Sequence, residues 1–141
     1  MRARASVHIE REPEAVFARI ADFATHAQWR PEVASSQVLG EVGRGARVIQ
    51  HVSAAGHGAT VEVEITEFEP PERLSFRYRG TPRARGGFRL EREGGGTRVH
   101  MSATVELDGA ASLVEGRIRA VAEEYAQRGL TRLKELLESG G

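Results

Sequence analysis

Two tyrosines, one strand glutamine and five histidines are the side chains of this chain best suited to hold a ligand or move a proton, and their positions decide which can act together. The chain has no cysteine, which excludes thiolate catalysis, thiolate metal sites and disulfides. The histidines fall at positions 8, 26, 51, 57 and 100, without the i,i+4 helical or adjacent-strand spacing of a metal site, so no metal is expected. No serine stands in a G-x-S-x-G context, and spacing assembles no nucleophilic triad. What remains is Tyr78, Tyr125 and Gln50, whose hydroxyl and amide groups can hold a ligand carbonyl, a tyrosine serving as a weak general acid in an enzyme. Each has a structural alternative, as a core aromatic with a bonded hydroxyl or an amide bonded to neighbours or water.

The elements that must position these residues are mostly short strands. Residues 2–10 alternate Ala3, Ala5, Val7 and Ile9 with polar side chains, the period of a half-buried strand. Pro13 opens a short helix with Val16, Phe17 and Ile20 on one side, ending near Asp22. Asp22 is placed to cap a second short helix carrying Phe23, His26 and Trp29, which must stop before Pro31. From Val33 onward glycine and proline separate strands at 33–39, 46–53, 59–68, 73–79, 87–93 and 97–107. One amphipathic helix follows over 112–138, with a capping box at Ser112-Leu113-Val114-Glu115 or Asp108 as a cap one turn earlier. Its stripe is Val114, Ile118, Val121, Ala122, Tyr125, Gly129, Leu133, Leu136 and Leu137, with Glu124 and Arg128 as an exposed pair. Gly129 on that stripe predicts a close approach to the sheet or a bend. A helix of this length buries its stripe only if a curved sheet wraps it, and that geometry makes a container.

Turn geometry proposes a register. A Gly94-Gly95 loop sets Glu91 opposite Arg98, Leu90 opposite Val99 and Phe88 opposite Met101. A turn at Pro70-Pro71, with Glu69 opposite Glu72, sets Glu62 against Arg79, Glu64 against Arg77, Val63 against Tyr78 and Ile65 against Phe76. A Gly56-His57 loop turns Gln50 inward with Val48 and Val52 and leaves His51 outside, opposite Glu62; a one-residue slip would exchange Gln50 for His51. Parity leaves Glu67 as the one inward acid. Arginine meets glutamate on the outer face, where such pairs add little beyond solubility, and the aromatics point the other way, so no nucleic-acid surface is expected.

Lysine plus arginine and aspartate plus glutamate balance at 20 each, so no net charge draws the chain to a polyanion. No apolar run approaches a membrane span and the first ten residues lack a signal-peptide core, so membrane insertion is not expected and the cytoplasm is the default location. One domain over 1–138 and a disordered tail at 139–141 are expected.

Five segments recur in a familiar order: Trp29-Arg30-Pro31-Glu32-Val33; Gly43-Arg44-Gly45-Ala46-Arg47; Val63-Glu64-Ile65-Thr66-Glu67-Phe68-Glu69-Pro70-Pro71-Glu72-Arg73-Leu74; Gly95-Gly96-Thr97-Arg98-Val99; and Leu130-Thr131-Arg132-Leu133-Lys134-Glu135-Leu136-Leu137-Glu138. With them the chain resembles the START-like, helix-grip (SRPBCC) superfamily, in particular its polyketide cyclase/dehydrase and lipid-transport group. The resemblance implies an α+β helix-grip fold, a seven-stranded curved antiparallel sheet wrapped around the long C-terminal helix, with two short helices after strand 1 closing one end. It also implies a cavity that often holds a hydrophobic ligand, and paired first and last strands that make His8 and His100 outward neighbours. No cofactor and no fixed catalytic set carry over with it, because the matched motifs are structural.

Three functions follow. The first is a binder of a small hydrophobic molecule, whether lipid, polyketide-like aromatic or terpenoid, with Trp29, Gln50, Val63, Tyr78, Phe88, Met101, Arg117 and Tyr125 as ligand-binding residues. Here Trp29 either stacks on a ligand ring or anchors its helix, and Arg117 at the mouth meets a ligand carboxylate or a nearby glutamate. His26 is expected near the mouth as a solvated helix residue. The second is a cyclase or dehydratase in which Tyr78, Tyr125 and Gln50 polarise a carbonyl and the pocket folds the substrate. The third is a protein-interaction module that recognises its partner through the convex arginine and glutamate face.

Overall fold

The period-two segments pair into one sheet in the computed structural model, which describes residues 1–54, 56–80 and 83–140. The strands are β1 (Arg2–Ile9), β2 (Val33–Leu39), β3 (Arg47–Ala54), β4 (His57–Glu69), β5 (Arg73–Arg79), β6 (Ala84–Glu93) and β7 (Gly96–Val105). They are antiparallel in the order β1-β7-β6-β5-β4-β3-β2, so the first strand closes against the last. Helix α1 (Pro13–Ala21) and a short 3-10 helix (Phe23–Gln28) follow β1, while α2 (Gly109–Ser112) and the long α3 (Glu115–Glu138) follow β7. None of the described helices is long and apolar enough to cross a membrane.

Alternation puts Ile9, Val48, Val63, Ile65, Leu74, Phe76, Phe88, Leu90 and Val99 on one face, where they are buried with Val16, Phe17 and Ile20 of α1 and Leu130, Leu133 and Leu137 of α3. Each such side chain contributes roughly 1.5–3 kcal/mol of transfer free energy. The Gly94-Gly95 hairpin and the body of the β4–β5 hairpin have the register their turns predict.

Two departures change what faces inward. The register of β4 against β5 shifts between Ile65 and Glu67, so Glu67 opposes Ser75 and Glu69 opposes Arg73. Thr66 is the extra residue of this bulge, and beyond it the parity inverts. Phe68 therefore packs on the core, while Glu67 accepts a hydrogen bond from the Ser75 hydroxyl at 2.8 Å on the outer face and is not an inward acid. The β3–β4 hairpin turns two residues earlier in register than a Gly56-His57 loop would, with Ala54 opposite His57; Ala55 lies outside the described residues. A two-residue slide preserves parity, so Gln50 stays inward and fully buried, whereas His51 pairs with Thr60 rather than Glu62.

The long helix also begins differently. Ser112 is the last residue of α2 and its hydroxyl donates to Gly109 O, so it forms no capping box; α3 starts after Val114 with no side-chain cap, and Asp108 and Asp22 make none either. Gly129 does mark a close approach, but to the chain before β2 rather than to the sheet: a Cβ there would meet Trp29 O at 3.3 Å. Leu130 is buried beside it, and Arg128 lies over the Tyr125 ring instead of pairing with Glu124. At the C-terminus Ser139 closes the helix through its N–H to Glu135 O, and Gly141 lies outside the described residues.

Candidate ligand chamber

The apolar stripe of α3 is used unevenly. Its C-terminal half is packed through Gly129, Leu130, Leu133 and Leu137, whereas Val114 and Val121 remain 42% and 44% exposed. Apolar side chains on the stripe stay unburied because the sheet opposite them is built from small residues. Ala3, Ala84 and Ala103 face Ala122 and Ala126 across the gap, and Gly86 between them carries no side chain, since a Cβ there would lie 2.6 Å from Ser102 O. The result is a chamber of about 550 Å³ between sheet and helix, lined by Phe76, Tyr78, Met101 and Val105 on one side and Val114, Ile118, Val121 and Tyr125 on the other.

Arg30 and Glu32 bring buried charge to the wall of this chamber, while Arg85 and Arg117 also border it. Arg30, only 4% exposed, donates from Nε to Glu32 Oε1 at 2.8 Å and from Nη1 to His26 Nδ1 at 3.2 Å. His26 donates from Nε2 to Ile20 O at 2.7 Å, which fixes the tautomer that leaves Nδ1 free to accept. Burial, and next the Arg30 charge, lower the His26 pKa to about 3, so the ring is neutral and Arg30 carries the charge. Burial opposes the Arg30 cation, but Tyr78 and Glu32 beside it outweigh that and raise its pKa. Tyr78 and Arg30 thus place two hydrogen-bond donors in apolar surroundings, where an oxygen acceptor on a ligand gains most from them.

Of the residues expected to bind a ligand, Tyr78, Met101, Arg117 and Tyr125 line the chamber, with Arg117 exposed at its rim. Val63, Phe88, Trp29 and Gln50 are not brought to it. Val63 and Phe88 are core, and Trp29 is a buried anchor, edge-on to His26 and to Phe88 at centroid distances of 5.0 and 6.0 Å. Gln50 donates to Ser36 Oγ at 3.3 Å, and its Oε1 has no partner among the described residues. His26 is not a solvated helix residue: it is fully buried and stacked on Phe23. Sequence reasoning missed Arg30 and Glu32, which flank Pro31, because charges beside a proline read as solvated loop. Their one signal was position, immediately after the buried Trp29.

The outward histidines do not converge. His8 Nδ1 meets Glu93 at 2.7 Å and His100 Nε2 meets Glu91 at 2.8 Å. On the same outer face Glu64 pairs with Arg77 at 3.0 Å and Glu62 with Arg79 at 3.6 Å, as the register requires. Arg79 also reaches Glu64 diagonally at 3.3 Å, and Arg98, opposite Glu91, turns instead to Glu93 at 2.9 Å.

Residues 1–138 match the model of the family described as polyketide cyclase / dehydrase and lipid transport. No curated protein matches the sequence. Among solved structures the chain is similar to a protein from Thermus thermophilus at 24% identity, TM-score 0.87, over 100% of this chain and 99% of that one. It is similar to an aromatase/cyclase from a Streptomyces species at 18% identity, TM-score 0.81, over 98% and 93% of the two chains. A START superfamily protein from Mycobacterium smegmatis is similar at 14% identity, TM-score 0.80, over 99% of each chain. Identities this low carry the fold alone, but a family model that leaves out only the last three residues carries more: the chain belongs to the polyketide cyclase / dehydrase and lipid transport family and has its START-like, helix-grip fold.

Proposed function

We propose that the protein binds a small hydrophobic molecule in the chamber between the sheet and the N-terminal half of α3, with an oxygen of the ligand directed at Arg30 and Tyr78. The observation that carries this is the half-used stripe of α3: Val114, Ile118, Val121, Ala122 and Tyr125 border about 550 Å³ that no side chain of the sheet fills. Exposed apolar surface of this extent is costly unless something covers it, and a lipid, a terpenoid or a polyketide-like aromatic would do so. The test is denaturing mass spectrometry of an organic extract of freshly purified protein, together with titration by an environment-sensitive apolar dye. A stoichiometric lipophile, or saturable dye binding that lipophiles compete away, is expected; neither appearing would remove the proposal.

A cyclase or dehydratase using the same chamber is favoured by one observation, the Arg30 and Tyr78 donors at an apolar wall, which would polarise a bound carbonyl. With Glu67 on the outer face, the carboxylate lining the chamber is Glu32, held by Arg30, and proton transfer would fall to it, to Tyr78, to Tyr125 or to the rim. Tyr78→Phe and Tyr125→Phe separate the two cases. In a binder each should cost about 1 kcal/mol of affinity per lost hydrogen bond. In an enzyme with that tyrosine as general acid, turnover should fall by about a hundredfold with binding nearly intact.

A further inference from the structure

The outer face of the sheet, opposite the chamber, carries a trough that the register builds row by row. Its floor crosses the strands as Arg4, Ser102, Gly87, Ser75 and Glu67. One wall is the row Arg2, Thr104, Arg85 and Arg77, and the other is Ser6, His100, Arg89 and Arg73. Between the ends the floor is small, two serines and a glycine, and Gly87 admits no side chain because a Cβ would sit 2.6 Å from Leu74 O. The walls are four residues apart along each strand, about 13 Å at ~3.3 Å per residue, and the floor spans three to four strand intervals of ~4.8 Å. The groove encloses about 780 Å³. An α-helix with its side chains is about 10–12 Å across, so one fits this width.

The charge is as uneven as the shape. The chain carries 20 cationic and 20 acidic side chains, yet the groove is lined by Arg2, Arg4, Arg73, Arg85 and Arg89 against the single carboxylate of Glu67. Arg73 and Arg89 have loose partners, Glu67 at 3.8 Å and Glu91 at 3.5 Å. Arg2, Arg4 and Arg85 form no ion pair among the described residues. Arg85 also borders an adjoining depression with Arg77, Arg79 and Arg83, where Glu64 and Glu62 pair with Arg77 and Arg79 and Glu106 lines the wall, so the unpaired charge is concentrated in the trough. Guanidinium groups fixed on a sheet are well placed for bidentate bonds to carboxylates.

We propose that this trough docks an acidic helix of a partner protein, laid across β1, β7, β6 and β5, with its carboxylates reaching the arginines of both walls. Two other anions fit less well. Single-stranded nucleic acid needs exposed aromatics to stack on, and the rings of Phe76 and Phe88 are buried on the inner face. A bilayer needs apolar side chains to insert, and the exposed ones, Leu39, Leu113, Val114 and Val121, all lie outside the groove. The proposal does not rest on what the chamber holds: the trough is built from the outward rows of the sheet, although Arg85 and Ser102 border both spaces.

The test is fluorescence anisotropy of a labelled, glutamate-rich helical peptide at about 0.15 M salt, where surface charges farther apart than ~8 Å are largely screened. Saturable binding is expected for this peptide and not for its lysine-rich counterpart. The double variant Arg4→Glu/Arg85→Glu should weaken it at least tenfold, and Arg44→Glu, outside the groove, should not. Ser102→Trp fills the floor without altering charge and should weaken binding by a similar factor, with circular dichroism confirming that each variant is folded. Full binding by folded Ser102→Trp would reduce the effect to diffuse attraction and overturn the proposal. So would no binding by wild type, or an oligonucleotide or anionic vesicle that binds as tightly with the same dependence on Arg4 and Arg85.

Discussion

Replacing Ala122 by tryptophan is expected to abolish saturable binding of apolar dyes and lipophiles while leaving the fold intact. Ala122 faces the chamber from the middle of the half-used stripe, so the indole enters space now lined by Ala3, Ala103 and Met101. A ligand excluded from most of that volume should lose at least about a hundredfold in affinity, about 2.8 kcal/mol at ~1.4 kcal/mol per decade. Thermal stability should hold or rise, because filling unoccupied apolar volume adds contacts without displacing side chains. Val63→Trp, which sequence parity alone would choose for the same purpose, should behave differently. Val63 is 1% exposed in the core, and overpacking there typically costs 1–3 kcal/mol. Undiminished dye affinity in a folded Ala122→Trp protein would locate the ligand elsewhere.

The second large effect is expected at Arg30. Arg30→Met removes the cation from a buried pair, leaves the Glu32 carboxylate without its 2.8 Å partner and deprives His26 Nδ1 of its donor. Breaking a buried pair from one side costs roughly 3–5 kcal/mol, and urea denaturation measures it directly. Adding Glu32→Gln should recover part of the loss, since the isolated charge is then gone. A midpoint unchanged by Arg30→Met would mean that the pair contributes nothing. The same network has a pH signature. His26 is neutral in the folded protein down to about pH 3, whereas the unfolded chain takes up its proton below about 6.5. The unfolded state therefore binds more protons in that window, so stability falls as pH drops below 6.5, by up to about 1.4 kcal/mol per unit. Between pH 6.5 and 5.5, above most carboxylate titrations, wild type should lose stability and His26→Leu should not.

Periodicity and turn chemistry made much of this molecule legible. The spans of β2 and β5 and the pairings Leu90 with Val99, Phe88 with Met101 and Val63 with Tyr78 all follow from alternation and loop length, because a sheet with one buried face admits one parity. The five matched segments carried the helix-grip fold for a related reason, since they are the turns and anchors that close the sheet on its helix. Errors arose where one residue changes parity without changing composition. The bulge at Thr66 turned Glu67 outward, and nothing in Ile65-Thr66-Glu67 announces an unpaired residue.

The site was legible only in part, and the division has a physical basis. Inward direction is a local property of a strand or helix, so Tyr78, Met101, Tyr125 and Arg117 could be placed toward the interior from sequence. Whether an inward residue touches core or open space depends on how closely the opposite wall approaches, which Ala3, Ala103, Gly86 and Gly129 decide jointly from distant parts of the chain. Hence Val63, Phe88 and Trp29, inward like the others, are packed in the core, and Gln50 is buried away from the chamber, bonded to Ser36 with its Oε1 unpartnered among the described residues. The charged end was decided the same way: Arg30 and Glu32 flank a proline in what reads as loop, and only the docking of that segment against α3 at Gly129 turns a solvated pair into a buried one. By itself the sequence determined which faces are apolar and how the strands pair. The tertiary structure decided where the apolar faces fail to meet, because a cavity is a property of two surfaces and neither strand nor helix encodes it alone.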